Sequence, residues 1–431
     1  MGAGIRSESA TSGVPARGQL VSKLRWIAAA AFAAGMHIRL LHLLIRSRAA
    51  VHGRCDFAFI YMAGRNWLSR RSPYDLQSLA HARLIQDWGG NAPLWWTRKE
   101  TLVPFVYPPH WAVIASPMAL LAWPVAACVW TSVNYVAFWV VCASCCYFCL
   151  KRDPTLPRWL LLCALGLCAA NGGARWSFGD CQMDLLPLAG VVGAVYAYHA
   201  RSPYWLALFA FIAALKPQVG LCPLLFLFVR GAWKGVSIGA LGVVVVSALA
   251  MVPSGIARFP AQALQSLHLH ESQPWEAPSQ FYNTAALLSV LTAKSWPLLV
   301  SPLIGLSCAA LLARADRHLS SALLDDPLWE LGILCSLSIA FFPQLGYGFI
   351  GYTPVIFVAL QFKPRWLGAG VAMLALIASQ TTRLDPGTRR IVAPMICLSV
   401  LAGCVVAFRR AMSERGARVA PESGPTARYR R

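Results

Sequence analysis

Apolar runs near 20 residues recur from Trp26 to Phe408, and runs of that length can cross a hydrocarbon core as helices. The first occupies about 23–45. A polar-aromatic segment, 46–105, separates it from runs near 107–121, 125–150, 159–170, 183–199, 204–229 and 235–252. A second polar segment, 253–280, and an apolar stretch, 281–293, come next. Runs near 296–313, 328–342, 349–361, 367–378 and 391–408 complete the pattern. The pattern predicts an all-α polytopic membrane protein of about 12 spans, or one more if Lys216-Pro217 divides 204–229. The polar tails are 1–22, expected to be disordered, and 409–431.

Composition excludes a soluble multidomain protein. Charged residues make up 13% of the 431 and AVILMFWYC 57%, and mean hydropathy is +0.54. The remaining charge is lopsided, 38 Lys and Arg against 17 Asp and Glu. The basic residues gather in the tails and short loops, where they face the cytoplasm and anionic headgroups, so nucleic acid is not the expected partner. Two basic tails on one side require an even number of spans. Segments 46–105 and 253–280 then share the non-cytoplasmic side of a cell (inner or plasma) membrane. This arrangement also sends Lys151-Arg152 outside, against the charge rule. The first run lacks a small-residue cleavage site and reads as a retained span. Tryptophans 67, 88, 95 and 96 crowd segment 46–105, which predicts short helices lying in the interface.

Most of the 14 cysteines lie inside apolar runs. Cys142, Cys145, Cys146 and Cys149 share a helical face, but about 10 Å of rise separates the ends of that series. Packing is expected there, not zinc. His268, His270 and Glu271 have ligand types without a partner cluster, so no metal is expected. No Walker loop, dinucleotide fingerprint or nucleophile elbow occurs, and no cofactor is expected.

Ionisable groups at the membrane edge are expensive and therefore informative. Asp56 precedes an apolar stretch of helical spacing (Phe57, Ile60, Tyr61, Gly64), as a functional acid or as a helix-start acid favoured by the dipole. Lys216 stands beside a helix-breaking proline, as a phosphate ligand or as a snorkelling helix end. Tyr107-Pro108-Pro109-His110 makes a fixed corner into an apolar run. Asp180 and Asp184 flank Gln182 in a polar break.

Asp56, Ser72-Pro73-Tyr74-Asp75, Tyr107-Pro108-Pro109, Gln182-Met183-Asp184-Leu185-Leu186 and Lys216-Pro217 form an ordered series over about 50–235. The series resembles the polyprenol-phosphate-sugar-dependent glycosyltransferases of family 87, which have the GT-C membrane fold. Gln280-Phe281-Tyr282-Asn283 is similar, loosely, to that family's Asn-containing segment. The resemblance implies an α-mannosyltransferase-like enzyme with a lipid-linked donor and an aspartate base in the first external loop. Its acceptor is a lipid or glycan. On this reading Asp56 is catalytic, while Lys216, Arg54 and Arg65 hold the donor phosphate. Tyr61, Tyr74, Tyr107, His110 and Gln182 contact substrate. A single well-placed carboxylate favours inversion. The sequence departs from the family pattern twice, with Cys181 where glycine is usual and with no histidine in 342–347. The competing reading is a transporter or flippase of lipid-linked sugars. It expects internal repeats and several midplane charges, and the sequence shows neither.

Overall fold

The computed structural model describes residues 17–46, 56–75, 105, 107–179, 181–255, 257–271, 284–292, 300–318, 326–342 and 346–419. Every regular element among them is helical. Four stretches are long and apolar enough to cross a membrane: Gln19–Leu43, Trp123–Arg152, Pro217–Ser254 and Thr388–Arg410. Shorter apolar helices pack among them.

In chain order the first helices are α1 (Arg17–Arg46), α2 (Asp56–Leu68), α3 (His110–Ala119) and α4 (Trp123–Arg152). Next come α5 (Arg158–Ala170), α6 (Gly172–Gly179), α7 (Leu185–His199), α8 (Pro203–Ala214) and α9 (Pro217–Leu227). A π-helical turn, Phe228–Ala232, joins α9 to α10 (Trp233–Met251). The remainder comprises α11 (Phe259–Glu271), α12 (Thr284–Thr292), α13 (Val300–His318), α14 (Pro327–Phe341), α15 (Thr353–Ala359), α16 (Arg365–Gln380) and α17 (Pro386–Val419). Short 3-10 turns at Gly346–Tyr352 and Thr381–Arg383 precede α15 and follow α16. Helix α14 is buried from Leu328 to Phe341 and forms the centre of the stack. Asp326 caps it by accepting from the Leu328 N–H at 3.0 Å.

Helix α7 defines the two ends of the molecule. Asp184 at its start pairs with Lys216, and His199 in its last turn pairs with Glu330 of α14. Helix α4 passes the first end at Trp130 and Asn134. Its 30 residues, about 45 Å of rise, carry Arg152 to Asp326 at the second end. Lys151-Arg152 therefore lies at the opposite end of the molecule from Asp56.

Two expected spans change for geometric reasons. Run 107–121 contains only the ten-residue α3, about 15 Å of rise and half a hydrocarbon core. It folds back on α2, where a Cβ at Gly64 would sit 3.3 Å from the Ala115 backbone. Run 204–229 breaks at Lys216, whose backbone is extended, into the hairpin of α8 and α9. The two helices touch so closely that a Cβ at Gly220 would clash with the Ala213 carbonyl. Helix α2 is packed into the protein, with Phe57, Ala58, Ile60 and Tyr61 fully buried. Helix also enters both expected tails, at Arg17 and as far as Val419. The cysteine face of α4 packs in the core, with Cys142, Cys145 and Cys149 buried.

Candidate active site

Five separated segments meet at the first end of α7. Asp56 opens α2, and its Oδ2 accepts the Tyr107 hydroxyl at 2.5 Å. Tyr107 is held in turn, because its carbonyl accepts the Tyr74 hydroxyl at 2.8 Å. The Tyr74 N–H donates to Ser72 Oγ at 3.2 Å, so the Ser72–Asp75 motif acts on Asp56 through Tyr107. The Gln182 side chain supplies a second hydrogen bond to Asp56.

Gln182 belongs to the break between α6 and α7. Its N–H donates to the Ser177 carbonyl at 2.8 Å, and its own carbonyl accepts Asn134 Nδ2 at 3.0 Å. Trp130 Nε1 donates to the Cys181 carbonyl at 3.1 Å. Side chains of α4 thus satisfy polar groups that a helix break would otherwise leave bare. Cys181 has φ +48°, a left-handed conformation that costs a non-glycine residue about 1 kcal/mol or more. This explains why glycine suits the position.

The same break presents Asp184, whose Oδ1 lies 2.6 Å from Lys216 Nζ, both side chains being buried. Pro217 begins α9 and supplies no N–H, and the Leu215 carbonyl before it turns out of the helix. It accepts Trp111 Nε1 at 2.9 Å and faces His110 Nε2 at 3.1 Å. His110 Nδ1 is 3.3 Å from Ser247 Oγ of α10. The histidine therefore ties α3 to α10 and to the Lys216 break.

Burial pushes the Asp56 carboxyl above the ordinary aspartate range, and the charge of Asp184 adds to the rise. Hydrogen bonds from Tyr107 and Gln182 and the charge of Lys216 act against it. A carboxylate so placed is, once ionised, a better base than a solvated one, and the Tyr107 and Gln182 donors favour its ionised form.

Of the residues singled out in the sequence, Asp56, Tyr107, Gln182 and Lys216 come together, with Tyr74 and His110 one step behind them. Arg65 does not join them. It is exposed, about 13 Å of helix rise beyond Asp56, with its guanidinium 6.0 Å from the Tyr61 ring centre. Tyr61 donates to the Leu121 carbonyl at 2.7 Å and braces α2 on the α3–α4 corner. Arg54, the 280–283 segment and 343–345 lie outside the described residues, as do the side chains of His268, His270 and Glu271. Two contributors were not among the expected site residues: Asp184, as the counter-charge of Lys216, and Asn134, a buried amide on a largely apolar helix.

An all-helical stack with apolar helices of spanning length, built around a buried acid and a helix break, belongs to a multi-pass membrane protein. The family model for glycosyltransferase family 87 matches residues 105–343, more than half of the chain. The chain belongs to that family and is a glycosyltransferase. Tyr107, Gln182, Asp184 and Lys216 lie inside the matched stretch, and Asp56 precedes it. No curated protein and no solved structure matches the chain.

Proposed function

We propose that this glycosyltransferase moves a sugar, mannose by family resemblance, from a polyprenyl-phosphate donor to a lipid or glycan acceptor. The reaction takes place on the non-cytoplasmic face of the cell membrane and inverts the anomeric centre. Asp56 takes the proton of the acceptor hydroxyl, whose oxygen bonds to the anomeric carbon as the bond from that carbon to the phosphate oxygen breaks. Polyprenyl phosphate departs with its electron pair, and Lys216 offsets the charge. The observation that carries this reading is the meeting of Asp56, with its raised basicity, and the Lys216 break in one buried cluster.

Two further features support it. An apolar groove of about 580 Å³ between α4, α7 and α8 is lined by Val129, Val133, Leu186 and Phe209. It starts beside the break that carries Asp184 and suits a prenyl chain. The helix directions also fit about twelve passes. Relative to the expected count, α3 drops out and the α8–α9 division adds one. Both termini then lie at the Arg152 end, and the basic residues of that end and of the two tails support a cytoplasmic position for it.

The test is incubation of membranes with a panel of radiolabelled polyprenyl-phosphate sugars, comparing wild type with Asp56→Asn. Turnover should fall by about 10²-fold or more, the scale of a positioned base, with donor binding largely retained. Near-normal transfer by the variant would sink the mechanism.

A further inference from the structure

A polar cavity of about 430 Å³ opens at the Asp184 end of the molecule. Its walls carry Arg39 of α1, Arg175 of α6 and Arg383 from the turn after α16. Leu40 and Leu43 form an apolar side, and neither Asp nor Glu is among the lining residues. Close backbone contact holds the floor together. The Gly172 N–H donates to Ser379 Oγ at 3.0 Å, and a Cβ at Gly172 would lie 2.5 Å from the Ser379 carbonyl.

Arg39, Arg175 and Arg383 are exposed, and like charges lining one cavity repel one another unless an anion or water stands between them. Arg152 and Arg230, by contrast, face carboxylates, Arg152 pairing with Asp326 and Arg230 with Asp316 and Glu330. Arg39 lies one turn inside the end of the apolar stretch Gln19–Leu43, the depth of a lipid headgroup. Snorkelling accounts for Arg39 at that depth, but not for three arginines of separate segments lining one cavity. On the orientation proposed above this is also the non-cytoplasmic end, where basic residues are disfavoured. The guanidinium fork matches phosphate oxygens in pairs, and the leucine side matches the first carbons of an attached chain.

We infer that this cavity is a subsite for the phosphate group of a lipid, separate from the Asp56–Lys216 cluster. The inference rests on the reading of the chain as a transferase of lipid-linked substrates. Neither side of the Asp184–Lys216 pair is needed to build the subsite.

Native mass spectrometry of the detergent-purified full chain tests it with a polyprenyl monophosphate, phosphatidylglycerol, inorganic phosphate and, as an uncharged control, polyprenol. Arg175→Gln/Arg383→Gln should weaken binding of a lipid phosphate by about tenfold or more, the scale of lost charge-assisted hydrogen bonds. Arg175→Lys/Arg383→Lys, which keeps the charge and loses the fork, should fall between that and wild type. Selective loss of the monophosphate identifies a prenyl-linked occupant; selective loss of the phosphodiester identifies a phospholipid or a lipid acceptor. Asp56→Asn should bind like wild type. If Asp56→Asn also transfers normally while the arginine variants lose binding, the base assignment fails and the subsite stands. Unchanged lipid binding in monodisperse glutamine or lysine variants would overturn the subsite, as would binding of inorganic phosphate alone.

Discussion

The two ends of α7 both hold buried charge, yet their surroundings differ. At the far end, Arg230 donates from Nε to Asp316 at 2.8 Å and from a terminal nitrogen to Glu330 at 3.1 Å. His199 closes on the same Glu330 oxygen at 2.9 Å. The rings of Tyr198 and Phe226 lie 5.0 and 5.5 Å from the guanidinium. Side chains from α7, α13, α14 and the π-helical turn are clamped there by direct contact. At the near end, the charged groups stand on interruptions of helices, and tryptophan, asparagine and histidine side chains attend to the exposed backbone. A groove and an arginine-lined cavity open nearby. The expense of a buried charge therefore does not set the two ends apart, and neither does a broken helix alone, since Arg230 stands on the turn where Gly231 has φ +106°. The groove and the cavity beside the near end do.

The sharpest way to break this comparison is Arg230→Met. Removing one member of a buried ionic cluster leaves carboxylates uncompensated, which costs about 3–5 kcal/mol. Thermal unfolding in detergent should show that loss, while activity per folded molecule stays near wild type. A matching loss of specific activity would make the far end part of the catalytic machinery.

At the near end, Lys216→Met combined with Asp184→Asn removes both charges and so avoids an orphan. The double variant should fold, yet use donor about 10- to 100-fold less well, as expected for lost contacts to an ionised group. Normal donor kinetics would reduce the pair to a second clamp.

The smallest effect concerns proton affinity. Tyr107→Phe deletes a hydrogen bond that favours the ionised form of Asp56, so the carboxyl, already raised, rises further. A base works only when ionised, so the acidic limb of the rate–pH profile should move to higher pH by about one unit. A shift to lower pH, or none, would remove Tyr107 from contact with the base.

The sequence carried much of this architecture because hydrophobic runs and costly charges are local properties. Asp56 at a helix start, the Tyr107 corner, Gln182 in a polar break and Lys216 beside a proline each stand out from their neighbours. Asp184 was visible too, but its role appears only when α7 and α9 bring it to Lys216. Run 107–121 is apolar enough to look like a span. What shortens it is tertiary, the packing of α3 between Gly64 and the Leu215 carbonyl. Arg65 looked suitable by type and proximity in sequence, but one helix separates it from Asp56 by several turns. The arginine cavity draws on α1, α6 and the turn after α16, and no local pattern joins those segments.

Lys216 also sets a schedule. The ribosome adds about 5–20 residues per second, and Lys216 follows Asp56 by about 160 residues. For roughly ten to thirty seconds the growing chain holds Asp56, and later Asp184, before the lysine that faces them exists. Those acids must wait in water or carry protons, so the pocket closes only after α8 and α9 have been delivered to the bilayer. A nascent chain stalled between α7 and α8 should therefore keep the Asp56 region open to a water-soluble reagent, and release through α9 should shield it.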